Sequence, residues 1–266
     1  MLPTPSQIAH REARRISTAL REVGGDGKAV GQGWMACDLH GSWADYGACL
    51  TLDQPVDVAS LDELTAFYRE RGRPPRLQTT PYQHETLFEA LATSGFTLYE
   101  RETVLWRQAE HASDRQRVDG LVFDKVDATD PIAVQAFVDS QARGFFADAP
   151  FPEGMKPITE RVLSMTRCHF WLLRLNGKVV GSGGLELFES CAVFIAGTVV
   201  PEARRRGLHR AFMAHRMRRA RELGASYVTV GSTPGGPTER NALREGFRVA
   251  YTQLGFEQRT GLSAPE

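Results

Sequence analysis

The chain has only four cysteines, Cys37, Cys49, Cys168 and Cys191, widely spread and never paired as CxxC. That spacing argues against a structural zinc site or a disulfide framework, and the four read as free, mostly buried thiols of a reducing cytoplasm. No apolar run approaches the ~20 residues that a membrane span needs. Met1 to Ile8 lacks the basic-then-apolar layout of a secretory signal. Neither sign of charge is in excess, with 32 Lys+Arg against 32 Asp+Glu. Such a balance speaks against a bulk nucleic-acid binder. No His, Cys, Asp and Glu fall at metal-ligand spacing. A GxxxxGK[ST] phosphate loop is missing, and no G-x-G-x-x-G marks the one turn where it would matter. The expectation is a cytoplasmic protein with no membrane, nucleic-acid or metal partner.

With 266 residues, the chain suits two domains of roughly 100–150 residues each. In the first half, helical patterns over Ala9–Glu22, from the capping box at Ser60 to Arg71, and over Gln83–Ser94 alternate with strands. The strands are expected near Gly33–Asp38, Trp43–Leu50, Arg76–Thr79 and Phe96–Arg107. Ala109–Gly120 is polar and aperiodic and reads as a linker, giving domains 1–112 and 113–266. The second half begins with a strand at Leu121–Val126, then a helix from Pro131, capped by Asp130. Asn176-Gly177 is a strong hairpin signal between Phe170–Leu175 and Lys178–Leu187. Cys191–Val200 is apolar almost throughout, as in a central strand buried on both faces. A helix over Gly207–Leu223, a strand at Tyr227–Val230, a short helix to Glu245 and a strand at Phe247–Leu254 complete the pattern. A faint repeat relates Gly72 to Gly224 and Gly95-Phe96 to Gly246-Phe247. The same offset carries Gly207 back to Pro55, where the neighbours Asp53 and Asp57 are acidic.

The stretch Arg204-Arg205-Arg206-Gly207-Leu208-His209-Arg210 lies between the central strand and a long helix. The first turn of a helix leaves N–H groups without partners, and the macrodipole adds partial positive charge there. Gly207 lets backbone approach a ligand, and Arg205, Arg206 and Arg210 can each meet phosphate oxygens. Along the helix, Leu208, Phe212, Met213, Met217, Ala220 and Leu223 form the apolar half. Arg216 and Arg219 fall near it and are expected to snorkel.

The stretch from Val199 to Met213 resembles the acetyl-CoA motif of the GNAT superfamily of N-acetyltransferases, Q/R-x-x-G-x-G/A. Arg204 and Gly207 match it, and His209 replaces the last small residue. The Asn176-Gly177 hairpin and the Arg240-Asn241-Ala242…Gly246-Phe247 segment extend the likeness over about Leu121 to Phe256. The first half resembles, more weakly, the degenerate unit of tandem GNAT proteins. The resemblance implies an α/β fold of two GNAT-like units, each a mixed, mostly antiparallel sheet flanked by helices. It implies that the strand of Thr198, Val199 and Val200 splays from its neighbour and pairs with pantetheine. It further implies that Arg205, Arg206, Gly207, Leu208, His209 and Arg210 hold the pyrophosphate, with Asn241 nearby, and that strand N–H groups stabilise an oxyanion.

The expected activity is direct acetyl transfer from acetyl-CoA to a primary amine of a small molecule, by a monomer or homodimer. A non-catalytic acyl-CoA sensor is the alternative, since Ala242 stands where many members carry a tyrosine acid. Tyr251 is the substitute acid and Glu186 the candidate base, with Glu189 and Asp148 behind it. Tyr251 also reads as a packed strand aromatic, and Glu186 as a solvated strand-end carboxylate. His169 and His215 read as structural. Phe145, Phe146 and Phe151 suit either an apolar acceptor pocket or a loop anchor.

Overall fold

The computed structural model describes residues 2–109, 117–147 and 149–258. Two compact units emerge, one of residues 1–103 together with 250–266 and one of Val104–Val249. The expected division at 112/113 is not where these units meet, and residues 110–116 of the expected linker lie outside the described residues. Pairing explains the difference at the carboxyl end. The strand that closes the chain runs on past Leu254 to Gln258, and its later residues pair within the first unit.

The first unit opens with α1 (Pro5–Val23), which Thr4 starts through a reciprocal capping box with Gln7. Its stripe Ile8, Ala9, Ala13, Ile16, Leu20 and Val23 is buried at helical spacing. There follow β1 (Asp26–Val30), β2 (Gly33–Cys37), β3 (Gly47–Ala48), α2 (Val58–Glu70), β4 (Arg76–Thr79), α3 (Thr86–Thr93) and β5 (Phe96–Gln108). Strand β1 is absent from the sequence reading because Gly24-Gly25-Asp26-Gly27 signals only a helix stop. The expected strand over Trp43–Leu50 shrinks to the two residues of β3. Helix α2 starts at Asp57, whose Oδ1 accepts from Ala59 N at 3.1 Å, three residues before the expected cap.

In the second unit come β6 (Leu121–Lys125), α4 (Pro131–Gln141), α5 (Met155–Leu163), β7 (Cys168–Leu175), β8 (Lys178–Phe188), β9 (Cys191–Val199), α6 (Leu208–Glu222), β10 (Tyr227–Ser232), α7 (Pro237–Arg244) and β11 (Arg248–Gln258). The asparagine–glycine hairpin forms as read, with both Asn176 and Gly177 left-handed at φ 50° and 81°. Glu189, also left-handed, is the turn residue between β8 and β9, which places that expected base in a hairpin loop. Ala142–Phe146, which carries Phe145 and Phe146, forms a π-helical turn.

Strands β1 to β4 pair antiparallel, antiparallel and parallel, and β7 to β10 repeat that order and sense. The paired glycines of the sequence repeat close matching helices: Gly72 after α2 and Gly224 after α6, Gly95 after α3 and Gly246 after α7. All four are left-handed. One face of the second unit's sheet packs Leu185, Phe194 and Val228 on Phe212 and Met217 of α6. The other packs Phe170, Leu172 and Ile195 on Phe137 of α4. Burying large apolar side chains on both faces stabilises each unit by roughly 1.5–3 kcal/mol per side chain.

Candidate active site

Strand β10 runs parallel to β9 only from Tyr227–Cys191 to Val230–Phe194. Beyond Phe194 the pairing with β10 ends, so no described strand pairs with residues 195–199 of β9 on that flank. A bulge accompanies the parting. Ser182 faces Thr198 and Gly184 faces Ile195, so Ala196 and Gly197 together oppose the single Gly183. Ala196 takes a left-handed φ of 52° within it. From one face Gln141 secures it, donating through Nε2 to Ser182 Oγ at 2.7 Å and to Ala196 O at 2.9 Å.

Backbone parity decides which groups line the open flank. Val200 N donates to Val180 O and Val200 O accepts from Ala203 N, so both of its groups are used inside the protein. Thr198, two residues back, points its groups the same way as Val200, towards β8. Val199 therefore points its backbone into the splay, where its carbonyl accepts from Arg204 Nε at 3.1 Å. Arg204 also donates to Gly144 O at 2.7 Å. The Thr198 side chain packs so closely on the π-helical turn that a Cβ on Gly144 would lie 2.0 Å from its Oγ1. Of the three strand residues read as cofactor contacts, Val199 has backbone facing the open flank.

At the end of β9 the backbone forms a cradle of N–H groups. Arg205 and Gly207 are both left-handed, at φ 63° and 76°, and flank Arg206. Alternation of this kind turns successive N–H groups into one concavity. The N–H groups of Arg205 through Arg210 donate to no described backbone or side-chain acceptor. Helix α6 has Gly207 as its N-cap and no side-chain cap. Among the described residues a Cβ on Gly207 would meet only Val118, at 3.9 Å. Arg205 and Arg206 are exposed and make no ion pair with any described residue. Arg210 differs, since its Nε donates to Glu245 Oε1 at 2.6 Å. Leu208 is buried in the core beneath the cradle. His209 accepts at Nδ1 from Asn241 Nδ2 at 3.3 Å. Burial first, then the charge of Arg216, brings His209 down to about 4, so it is neutral at pH 7. The equivalent helix of the first unit, α2, has its N-terminus filled by the Asp57 carboxylate.

The residues expected to move protons already have partners. Glu186 is buried and accepts from Arg167 Nε at 2.7 Å, so it is not the solvated strand-end carboxylate of the simpler reading. Tyr251 lies in the first unit, where its hydroxyl donates to Gln253 Oε1 at 2.9 Å and its ring meets Tyr82 edge-on. Asp148 lies outside the described residues. Phe145 is exposed, while Phe146 and Phe151 pack edge to face, 5.3 Å between centroids. His215 stacks on Phe123 at 4.3 Å inside an aromatic shell, and burial brings it too down to about 4.

Arg216 departs most from the sequence reading. It does not snorkel, being only 2% exposed and the largest fully buried side chain described. Its guanidinium lies between the rings of Phe194 and Phe212, 4.3 and 4.2 Å from their centroids. Nη1 donates to Gly184 O at 3.2 Å, and Nε has no partner. Burial lowers its pKa to about 9, which leaves it a cation at neutral pH. Removing such an ion from water costs several kcal/mol, against about 2 kcal/mol from each desolvated cation–π contact. The sequence signal was there, an arginine on the apolar half of a helix, but helical phase alone does not separate snorkelling from burial.

Comparison with known proteins agrees with this geometry. The family model described as Acetyltransferase (GNAT) family matches residues 134–247. No curated protein matches the sequence. A GCN5-related N-acetyltransferase from Kribbella flavida superposes with a TM-score of 0.72 at 16% identity, covering 96% of each chain. Another from Sphaerobacter thermophilus gives 0.58 at 13% identity, over 77% of this chain and 69% of that one. A tandem GNAT protein from the clavulanic acid biosynthesis pathway gives 0.58 at 14% identity, over 77% and 70%. At these identities the structural likeness carries the fold.

Proposed function

We propose that this chain, whose residues 134–247 match the GNAT acetyltransferase family model, moves an acetyl group from acetyl-CoA to the primary amine of a small molecule. The family match supports acyl transfer; the donor and the acceptor are our reading. One observation carries it: at the mouth of a strand splay stands an α6 N-terminus with no side-chain cap, whose N–H groups and two exposed arginines have no partner among the described residues. That combination fits a ligand with a pyrophosphate at one end and a neutral, amide-bearing arm at the other. Acetyl-CoA has that form and, when bound, supplies an activated thioester carbonyl.

In this reading the amides of Arg205 to Arg210 and the side chains of Arg205 and Arg206 hold the pyrophosphate. Val199 offers its backbone to the arm as an added strand would. Thr198 and Gln141 keep β9 in its bulged path. Neutral His209 and Asn241 fix the first turn of α6 against α7. Among the described residues expected to act, Glu186 and Tyr251 are already engaged, and in this reading the amine's proton leaves through water. The first unit, with a carboxylate of its own at the matching helix start, is the half that binds no nucleotide.

The engagement of Tyr251 and Glu186 by partners favours a second reading, a non-catalytic acyl-CoA sensor. Calorimetry with CoA, followed by thiol release from acetyl-CoA across a panel of amines, tests both. Binding with amine-dependent thiol release supports the transferase. Binding without turnover on any amine leaves the sensor. No binding at all defeats both.

A further inference from the structure

The charge on Arg216 has no carboxylate partner among the described residues, and it sits at one particular place. Moving from the cradle back along β9, the open flank ends where pairing with β10 resumes, at Phe194. The ring of Phe194 is one of the two that clasp the guanidinium. On the strand itself Gly197 supplies no side chain, and a Cβ there would lie 3.1 Å from both Nη1 and Nη2. Phe212 also fills the space beside Gly183, so the cation is walled by rings and glycines. Nη1 is spent on Gly184 O, while Nε and Nη2 donate to no described group. A buried cation in such a wall awaits an anion, and a ligand seated in the splay is what can bring one.

Resting on the reading above, the end of the ligand at Phe194 is the end opposite the pyrophosphate. The arm's amides are neutral there, and one ionisable atom remains, the sulfur. We propose that Arg216 is the counter-charge for the thiolate form of CoA, held at the closed end of the β9–β10 splay. Its role is distinct from that of the arginines in the cradle, which meet phosphate in the open. It also gives Ala242 a rationale, since a fixed cation stabilises an anionic sulfur without donating a proton to it.

The test titrates the thiol of CoA bound to the full-length protein, by ultraviolet thiolate absorbance. A free thiol titrates at about 8.5. Bound to the wild-type protein it should show about tenfold more thiolate than the free thiol at pH 6.5, well below that point. R216M, which fills the space between the rings without charge, should remove that excess, and R216K should retain part of it. Calorimetry at pH 6.5 should give CoA affinities within about twofold in all three, because the cradle is untouched. A bound thiol that titrates like the free one in the wild-type protein overturns the proposal, and needs no variant to fold. Equal titration in wild type and R216M, with CoA bound to both, overturns it as well. A preference for a carboxylate-bearing acyl-CoA that is lost in R216M, with the thiol unmoved, assigns the charge to the acyl group and overturns it too. Failure of the wild-type protein to bind CoA overturns the functional reading and this proposal together, and is told apart by the calorimetry.

Discussion

Asn241 Nδ2 donates to His209 Nδ1 at 3.3 Å, which ties α7 to the first turn of α6 and fixes the imidazole as the neutral form protonated on Nε2. An imidazolium would place two donors face to face. The sequence motif carries a small residue at the His209 position, and the structure shows what the larger ring does there. It braces the cradle from behind instead of reaching into it.

This pair, with His215 in its aromatic shell, predicts acid sensitivity. Both histidines titrate near 4 when folded, against an ordinary 6.5. Between those values the unfolded chain binds more protons than the folded one. Stability from these groups is therefore complete above about pH 6.5 and falls as the pH drops towards 4. The melting temperature should decline through that window, and H215F, which keeps the stack on Phe123 and Phe212, should flatten the decline. A wild-type melting temperature that is level from pH 6.5 to 4.5 contradicts the assignment.

Gly207 allows two substitutions to be played against each other. At φ 76° either replacement costs about 1–2 kcal/mol of backbone strain. Among the described residues neither meets a steric block. G207A therefore reports strain alone, and G207E adds a carboxylate to the anion cradle. CoA affinity should survive in G207A within about tenfold, the equivalent of that strain, and vanish in G207E while its circular dichroism stays native. Micromolar binding by G207E would move the pyrophosphate elsewhere.

Much of this was legible in the chain. The turn after β9 and the start of α6 announced themselves through Pro201 and Gly207, because turn chemistry and helix starts are local. The Asn176-Gly177 hairpin was legible for the same reason. What failed was non-local. The pairing of β11 with β4 leaves no trace in the pattern of Phe247–Leu254, so Tyr251 could not be assigned to the first unit. Glu186 alternates correctly against Leu185, yet nothing in its neighbourhood announces Arg167, nineteen positions back. The two-residue strand β3 is too short for alternation to register.

Glu186 gives the third prediction. The carboxylate is buried, and E186Q leaves the Arg167 guanidinium against a neutral amide, at a cost of about 1–3 kcal/mol. If the carboxylate serves structure, turnover in E186Q falls by less than about tenfold once the protein is kept folded. A general base at this position would instead cost roughly a hundredfold or more. Thermal melting and kcat measured on the same preparation separate the two.

The last prediction concerns how the four arginines of the loop divide their work. Arg205 and Arg206 are exposed and pair with no described residue, so their charge is available to a ligand and screened by salt. Arg210 is committed to Glu245, whose side chain is 8% exposed, and Arg204 to the carbonyls of Val199 and Gly144. R205A/R206A should therefore weaken CoA binding by about tenfold or more at low salt, with little change in melting temperature. The gap from wild type should narrow as salt is raised. R210A should do the reverse, because Glu245 is then left buried without its partner, and the melting temperature drops while CoA affinity changes less. R204A should loosen the link between the π-helical turn and β9, and so lower both. Calorimetry across a salt series, paired with thermal melts of the same variants, reads all three. Equal losses of affinity in R205A/R206A and R210A, unchanged by salt, would mean that the arginines act by packing and that the cradle does not hold its ligand through exposed charge.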